Sequence, residues 1–389
     1  MTLIYLVAGE QSGDALGARL MAALRVRRTD MSFAGVGGEA MAAQGLHSLF
    51  PMRELALMGL LEVLPRLWQL RARIGETVAD IAARRPAVVV TIDSPGFTLR
   101  VLKAVAPLGI PRVHYVAPQI WAWRPGRAKH YPGLWDRLLC LLPFEPAFFA
   151  RYGLPARFVG HPVLESGADR GDGGRFRARH LIPAGVPVIT LMPGSRRTEV
   201  GRLLPVLGAA LQQVAAQVPG LAPVVPVAGP VADAVRQGVA AWPVRPILVD
   251  ATEEKYDAFA ASAAALTKSG TSTLELALAG VPMVVAYRVN PLSAEIARRL
   301  VKIRYASILN LLAEREVVPE LLQESCTPGR LAEVMVSLLT DPARAAAQRA
   351  ACREVLASLR PEDGLLPSDE AAEAVLELLA DGGGRASVS

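Results

Sequence analysis

Short runs of wholly apolar residues recur along this chain, each followed by a small-residue turn and a helical pattern. Leu3-Ile4-Tyr5-Leu6-Val7 and Val88-Val89-Val90-Thr91-Ile92 are of this kind. A strand apolar on both faces must be covered on both faces, which in practice means a parallel sheet between layers of helix. The pattern predicts strands over residues 3–8, 32–36, 87–92, 112–116, 137–142 and 156–159 in the first half. It predicts further strands over 187–192, 223–228, 246–249, 263–266 and 282–286 in the second. Helices are expected over 13–27 and 66–84. In the latter, Leu67, Leu70, Ile74, Val78 and Ile81 share one face, and Pro65 and Pro86 bracket it. The 389 residues exceed what one ordinary core holds, so two doubly wound α/β domains facing a cleft are expected. Residues 165–179 carry Gly167, Gly171, Gly173 and Gly174 and predict the linker between them. The tail from residue 381 reads as disordered.

In such sheets ligands bind beyond the carboxyl ends of the strands, and the chemically suggestive motifs follow predicted strands. Ser269-Gly270-Thr271-Ser272-Thr273-Leu274-Glu275 combines a small-residue turn with a helix start. Unpaired N–H groups and the helix dipole favour an anion there, and Gly270 permits close approach of a phosphate. Glu275 suits sugar hydroxyls. Ser272 and Glu275 also match a capping box, so a merely well-capped helix stays open. Met192-Pro193-Gly194-Ser195-Arg196-Arg197 presents Arg196 at a strand end, where a guanidinium suits phosphate charge. Asp93, ending the strand before Ser94-Pro95-Gly96, reads either as a general base or as an Asx turn. Gly9-Glu10-Gln11-Ser12-Gly13-Asp14 resembles a phosphate loop without matching the P-loop or dinucleotide patterns. Ser12 or Asp14 is a candidate cap. Gly35-Val36-Gly37-Gly38-Glu39 reads as a lid, a substrate-lining loop or an ordinary turn. Residues 121–130 mix Trp121 and Trp123 with Arg124, Arg127, Lys129 and His130, suiting a phosphorylated substrate or a headgroup surface. Residues 55–64, with Leu57, Met58, Leu60, Leu61 and Leu64, form an apolar segment flanked by arginines. That segment is either a packed helix or a contact for lipid.

Composition narrows the classes. The net charge of +6 is scattered along the chain, so nucleic acid is not expected as a partner. Cys140, Cys326 and Cys352 have no metal spacing and fit a reducing compartment. His114, His130 and His161 are too dispersed to form a metal site. Residues 203–232 are uncharged but broken by five prolines, which argues against a membrane span. The first residues enter a strand pattern without a charged leader. There is no Asp-x-Asp, so helix dipoles and arginines, not a metal, would neutralise a leaving diphosphate.

Ten segments taken in order carry a family resemblance. They are AGEQSGD (8–14), GVGG with Met41 (35–41), IDSP (92–95), YVAPQIWAWRPGR (115–127), LPFEP (142–146), FVGHP (158–162), MPGSRRTE (192–199), SGTSTLELAL (269–278), PMVVAYR (282–288) and LNLLAEREVVPELLQ (309–323). The chain resembles the lipid-A-disaccharide synthases over roughly residues 1–340. The resemblance implies a GT-B fold with two Rossmann-like domains facing an interdomain cleft. The expected boundaries are 1–165 for the acceptor domain, 166–345 for the UDP-sugar domain and 346–389 for C-terminal helices and tail. It implies an inverting, metal-independent and cofactor-free transfer between UDP-2,3-diacylglucosamine and 2,3-diacylglucosamine 1-phosphate. The products would be a β-1,6-linked tetra-acyl disaccharide 1-phosphate and UDP. The implied location is the cytosolic face of the inner membrane, bound peripherally, and a homodimer is compatible with it.

The implied roles follow the matching segments. Asp93 and Arg196 are catalytic. Gly194, Ser195, Ser269, Gly270, Thr271, Ser272, Thr273, Glu275, Asn310, Glu320 and Gln323 face the UDP donor. Glu10, Ser12 and Arg124 face the acceptor, and residues 55–64 take acyl chains and the membrane. Gly96 and Thr98 stand where the family usually has a second Asp and an Asn, which puts the weight on Asp93. Leu309 stands where Pro is usual. Two other classes fit the residues less well. One is another UDP-sugar enzyme of this fold, such as an epimerase or a cell-wall transferase on a lipid carrier. The other is a non-catalytic UDP-sugar or lipid-binding protein.

Overall fold

The computed structural model describes residues 1–55, 63–227, 229–290, 294–295 and 303–385. The chain divides into two compact units, residues 1–162 with 359–389, and residues 163–358. Each is built on one six-stranded parallel sheet.

The first sheet runs in the order β2-β1-β3-β4-β5-β6. Its strands are β1 (Thr2–Ala8), β2 (Met31–Val36), β3 (Val88–Ile92), β4 (Arg112–Tyr115), β5 (Arg137–Cys140) and β6 (Ala156–Phe158). Helix α1 (Gln11–Arg27) follows β1, α2 (Glu39–Ala43) follows β2, α3 (Val63–Arg84) precedes β3, and α4 (Pro95–Val105) follows it. Both faces of the sheet are covered. Ile4, Leu6, Val88 and Val90 pack toward α1, and Tyr5, Val7 and Val89 toward α3 and α4. That two-sided burial is why the strands carry no polar alternation. His114 of β4 is fully buried, bonded to Thr91 and stacked on Trp135. Burial pushes its imidazole down to about 3, so the ring is neutral.

The second sheet runs β12-β11-β10-β7-β8-β9. Its strands are β7 (Val188–Met192), β8 (Ala222–Pro226), β9 (Ile247–Val249), β10 (Ser262–Lys268), β11 (Met283–Tyr287) and β12 (Glu320–Leu322). The helices used below are α5 (Glu145–Ala150) of the first unit, and α6 (Gly173–Arg179), α7 (Arg197–Gln217), α8 (Ala232–Val239), α9 (Thr252–Ala261), α10 (Thr271–Leu278) and α11 (Ile308–Ala313) of the second. The largest core cluster lies between the sheet and α7, with Leu203, Leu207, Leu211 and Val214 buried against Ile189, Leu191 and Leu266.

Three expectations are corrected. Residues 165–179 are not a linker. They form a short helical turn and α6, packed on α9, with Arg175 bonded to Asp257 at 2.7 Å. Their glycines allow close packing, because a Cβ on Gly171 would lie 2.0 Å from the Tyr256 carbonyl oxygen. The C-terminal residues do not stay together as one piece beyond 345. Residues up to 358 belong to the second unit and the remainder to the first. There α12 (Pro367–Arg385) of that segment buries Ala371, Ala372 and Val375 in the α1 core. It is pinned by Arg27 to Asp369 (2.5 Å) and by Arg157 to Glu370 (2.6 Å). Because α12 extends to residue 385, the expected disorder from 381 does not hold over 381–385. Among the described residues no helix is long and apolar enough to cross a membrane.

Candidate functional site

In each sheet the chain order reverses between two neighbouring strands, β1 and β3 in the first, β10 and β7 in the second. The connections leave such a pair toward opposite faces, which opens a crevice at the carboxyl ends. The loops after these four strands are Gly9–Glu10, Asp93–Ser94, Gly194–Arg196 and Ser269–Gly270, so the sequence motifs fall on both reversal points.

In the first unit, Asp93 and Ser94 both adopt left-handed backbone angles, φ 49° and 45°. Non-glycine residues hold such angles only under constraint, at on the order of 1–3 kcal/mol each. The constraint is visible. The Asp93 N–H donates to the Tyr115 carbonyl at 2.9 Å. The buried Thr98 hydroxyl donates to the carbonyl oxygens of Asp93 (2.6 Å) and Ser94 (3.0 Å). Gly9 leaves room for the turn, since a Cβ there would meet Ser94 Oγ at 2.6 Å. Burial raises the Asp93 carboxyl above the usual carboxylate range, partly opposed by a hydrogen bond from the Ser94 backbone. Glu10 and Ser12 are exposed at the start of α1. Arg124 is exposed and lies over the Trp123 ring at 4.8 Å, in the loop after β4, which adjoins β3. That loop is tethered by Glu145 at the start of α5. Its buried carboxylate accepts from Trp121 Nε1 (3.0 Å) and the Leu141 and Leu142 amides. Burial pushes Glu145 up to about 7 despite those three donors. Asp14 caps neither its own helix nor a ligand. It accepts from the amides of Gly38, Ala40 and Met41, starting α2 from across the unit. These bonds hold residues 38–41 where β2 turns into α2.

In the second unit, Ser195 and Arg196 donate their amides to Glu199 Oε2 at 3.1 and 3.3 Å, and Lys268 Nζ approaches the same oxygen at 3.6 Å. Glu199 thus fills the anion position at the start of α7. Gly194 (φ 119°) lets the turn pass close, since a Cβ would sit 2.7 Å from that carboxylate. Arg196 is largely exposed, 3.3 Å from Glu199. Helix α10 starts at Gly270, φ 144°, with no side-chain cap. The expected capping box is absent because Ser272 Oγ turns to Thr267 and Glu275 pairs elsewhere. The Ser269 hydroxyl donates to the Ala306 carbonyl (2.7 Å) and the Thr273 hydroxyl to the Gly270 carbonyl (2.7 Å). Thr271 is exposed. These side chains brace the turn. Glu275 accepts from Lys255 Nζ (3.0 and 3.2 Å) and the Tyr256 hydroxyl (3.0 Å). Of a carboxylate's roughly four acceptor positions, one remains among the described residues.

The expectation for Asn310 and Glu320 is corrected to a supporting role. Asn310 is fully buried, with Nδ2 bonded to the Val318 carbonyl and Glu320, and Oδ1 accepting from Val317 and Val318. Glu320 also accepts from the amides of Ala306 and Ser307. Together they fix the segment that receives Ser269. Gln323 lines a cavity with Arg202 and Arg288. Sequence reasoning missed Lys268, Lys255, Tyr256 and Thr98. Lys268 had a signal, a lysine at the last position of a strand whose centre is the apolar run 263–266. Leu57, Met58, Leu60 and Leu61 lie outside the described residues, and Leu64 is on the first turn of α3.

The sequence profile described as "LpxB: Lipid-A-disaccharide synthetase" matches residues 4–374. The chain belongs to this family. It is 57% identical to the lipid-A-disaccharide synthase of Gluconobacter oxydans over 387 residues, covering 100% of this chain and 93% of the relative. It is 56% identical to that of Granulibacter bethesdensis, covering 97% and 98%. Its activity is accordingly that of a lipid-A-disaccharide synthase, a hexosyltransferase of lipid A biosynthesis, on two Rossmann-like units of GT-B type. Among solved structures it is similar to a UDP-GlcNAc 2-epimerase from Neisseria meningitidis bound to UDP-GlcNAc (TM-score 0.62, 13% identity, 98% and 100% covered). It is also similar to the calicheamicin glycosyltransferase CalG4 (TM-score 0.60, 15% identity, 98% of each). At those identities the likeness concerns the fold.

Thr98 holds the strained turn, so Thr98→Val should lower kcat by about tenfold, equivalent to about 1.4 kcal/mol of lost restraint. UDP affinity should not change, and Thr98→Ser should keep most of the rate. Steady-state kinetics with UDP titration checks this. A folded Thr98→Val enzyme at full kcat would remove the role.

Proposed function

We propose that the second unit holds UDP-2,3-diacylglucosamine and the first unit activates 2,3-diacylglucosamine 1-phosphate. The backbone at residues 269–273 takes the diphosphate, with Lys268 beside it, and the remaining acceptor position of Glu275 takes a ribose hydroxyl. Asp93 removes the proton from the acceptor 6-hydroxyl. That oxygen forms a bond to C1 of the donor sugar from the face opposite UDP. The C1–O bond to UDP breaks, its electron pair leaves with the diphosphate, and the configuration at C1 inverts. Arg196 and Lys268 neutralise the charge growing on the departing oxygen, and removing such a donor typically costs on the order of 10²–10³ in kcat. Gly194 and Ser195 shape that turn. Glu10, Ser12 and Arg124 hold the acceptor, with Arg124 suited to its 1-phosphate.

The observation that carries the reading is Asp93, a carboxylate on a doubly left-handed turn at the reversal point of its sheet, raised in pKa by burial. Strain and a perturbed pKa together favour a base over a loop cap. Asp93→Asn should abolish product, followed by mass spectrometry of the disaccharide, while leaving UDP affinity intact. A base works only when ionised. The wild-type kcat/KM should therefore fall as pH drops through the raised Asp93 value, placing the acid limb above the ordinary carboxylate pKa of about 3.9. Near-normal turnover in Asp93→Asn would refute the assignment.

We place the protein at the cytosolic face of the inner membrane, held there by residues 55–64 without spanning it. On α3 beyond that segment, Trp68 is exposed, with the Arg71 guanidinium 5.8 Å from its ring centroid. Trp beside Arg suits a headgroup layer. Each acyl CH₂ buried contributes about 0.8 kcal/mol, so even partial burial of the acceptor's chains would dominate its affinity. Replacing Leu57, Leu60 and Leu61 with Ser should reduce flotation with anionic vesicles. Unchanged flotation would show that another surface makes the contact.

A further inference from the structure

The second unit contains a cavity of about 670 Å³ that, Gln323 aside, none of the assigned roles uses, a volume within the range of small-molecule sites. Its wall is formed by Arg202, Pro205 and Val206 of α7, Arg288 and Val289 after β11, and Gln323 after β12. Ala294 adds to the apolar part. Glu295 and Glu324 stand on the same wall, so among the described lining residues two guanidiniums meet two carboxylates. A charge-balanced wall with an apolar floor is a poor phosphate site and a good seat for a hydrocarbon body.

Its place on α7 indicates what that body is attached to. Glu199, Arg202 and Val206 follow the i, i+3, i+7 spacing and share one helix face. Glu199 is the group that organises the Gly194–Arg196 turn, so the face that braces the phosphate turn continues into the cavity wall. At about 1.5 Å per residue the cavity begins roughly 9 Å along the helix from Arg196. A sugar whose diphosphate rests on residues 269–273 and faces that turn carries its acyl groups within reach. Gln323, left-handed at φ 49°, accepts the Val289 amide at 3.3 Å and ties the two wall segments together.

We propose that this cavity receives an acyl chain of the donor sugar, making it a chain-length selector in the nucleotide-binding unit. The inference rests on the reading that this unit holds the acylated nucleotide sugar. Val289→Trp would fill the cavity. With UDP-glucosamine donors bearing long acyl chains, its KM should rise at least tenfold. The KM for a donor bearing two-carbon acetyl groups, and the Kd of UDP itself, should stay at wild-type values. Equal changes for both donors, or none for either, would overturn the proposal. Failure of the underlying reading looks different, because UDP would then slow amide exchange in residues 1–162 and leave residues 194–199 and 269–275 unchanged. A second measurement needs no variant. A long-chain donor with a diazirine at the chain end should crosslink to wild-type peptides spanning residues 202–206 or 288–290. Crosslinks confined to residues 1–162 would contradict it.

Discussion

The placement of the candidate residues in both units depends on one topological constraint, the reversal of strand order within a parallel sheet. Crossovers between parallel strands are right-handed, so successive helices on either side of a reversal must lie on opposite faces. The two loops at that point diverge and leave a crevice that no helix can cover. In the first unit the diverging loops follow β1 and β3, in the second β7 and β10. Asp93 and Glu10 belong to one pair, Arg196 and Gly270 to the other. The cores beneath are packed on both faces, which is what lets the loops above be strained or charged. The turn at Asp93 and Ser94 stores on the order of a few kcal/mol, offset by Thr98 and by the Tyr115 carbonyl.

The second unit uses its own carboxylates to hold its basic groups in place. Glu199 collects two amides and Lys268, and Glu275 collects Lys255 and Tyr256. Glu320 and Asn310 bind one another and the loop that receives Ser269. On the proposed reading, those donors are fixed before a phosphate arrives, so little reorganisation would be left for the transition state. A diphosphate entering at Gly270 would meet N–H groups at a helix start without a side-chain cap, beside Lys268.

The alternation of apolar runs with helical patterns made both sheets legible, because two-sided burial leaves the same mark on every strand. Strand β12 was not legible. It is three residues long, with Glu320 at its first position, too short to show a period. The turns at 93–96, 194–196 and 269–273 were readable because glycine, serine and a charged residue at a strand end have few other uses. Partners distant in sequence were not readable. Asp14 reaches an α2 start 24 to 27 residues away, and nothing local distinguishes it from a cap of its own helix. Glycines 171 and 173 have the composition of a flexible link, yet they serve close packing against α9. Asn310 has the look of a ligand-binding amide, but its whole capacity is spent on one loop.

The central claim is that the β7/β10 reversal is where the nucleotide diphosphate sits. Amide hydrogen exchange of the full chain with and without saturating UDP tests it directly. UDP should slow exchange within residues 194–199 and 269–275 and leave residues 93–98 unchanged. Protection confined to residues 9–14 and 93–98 would place the nucleotide in the other unit and contradict the account.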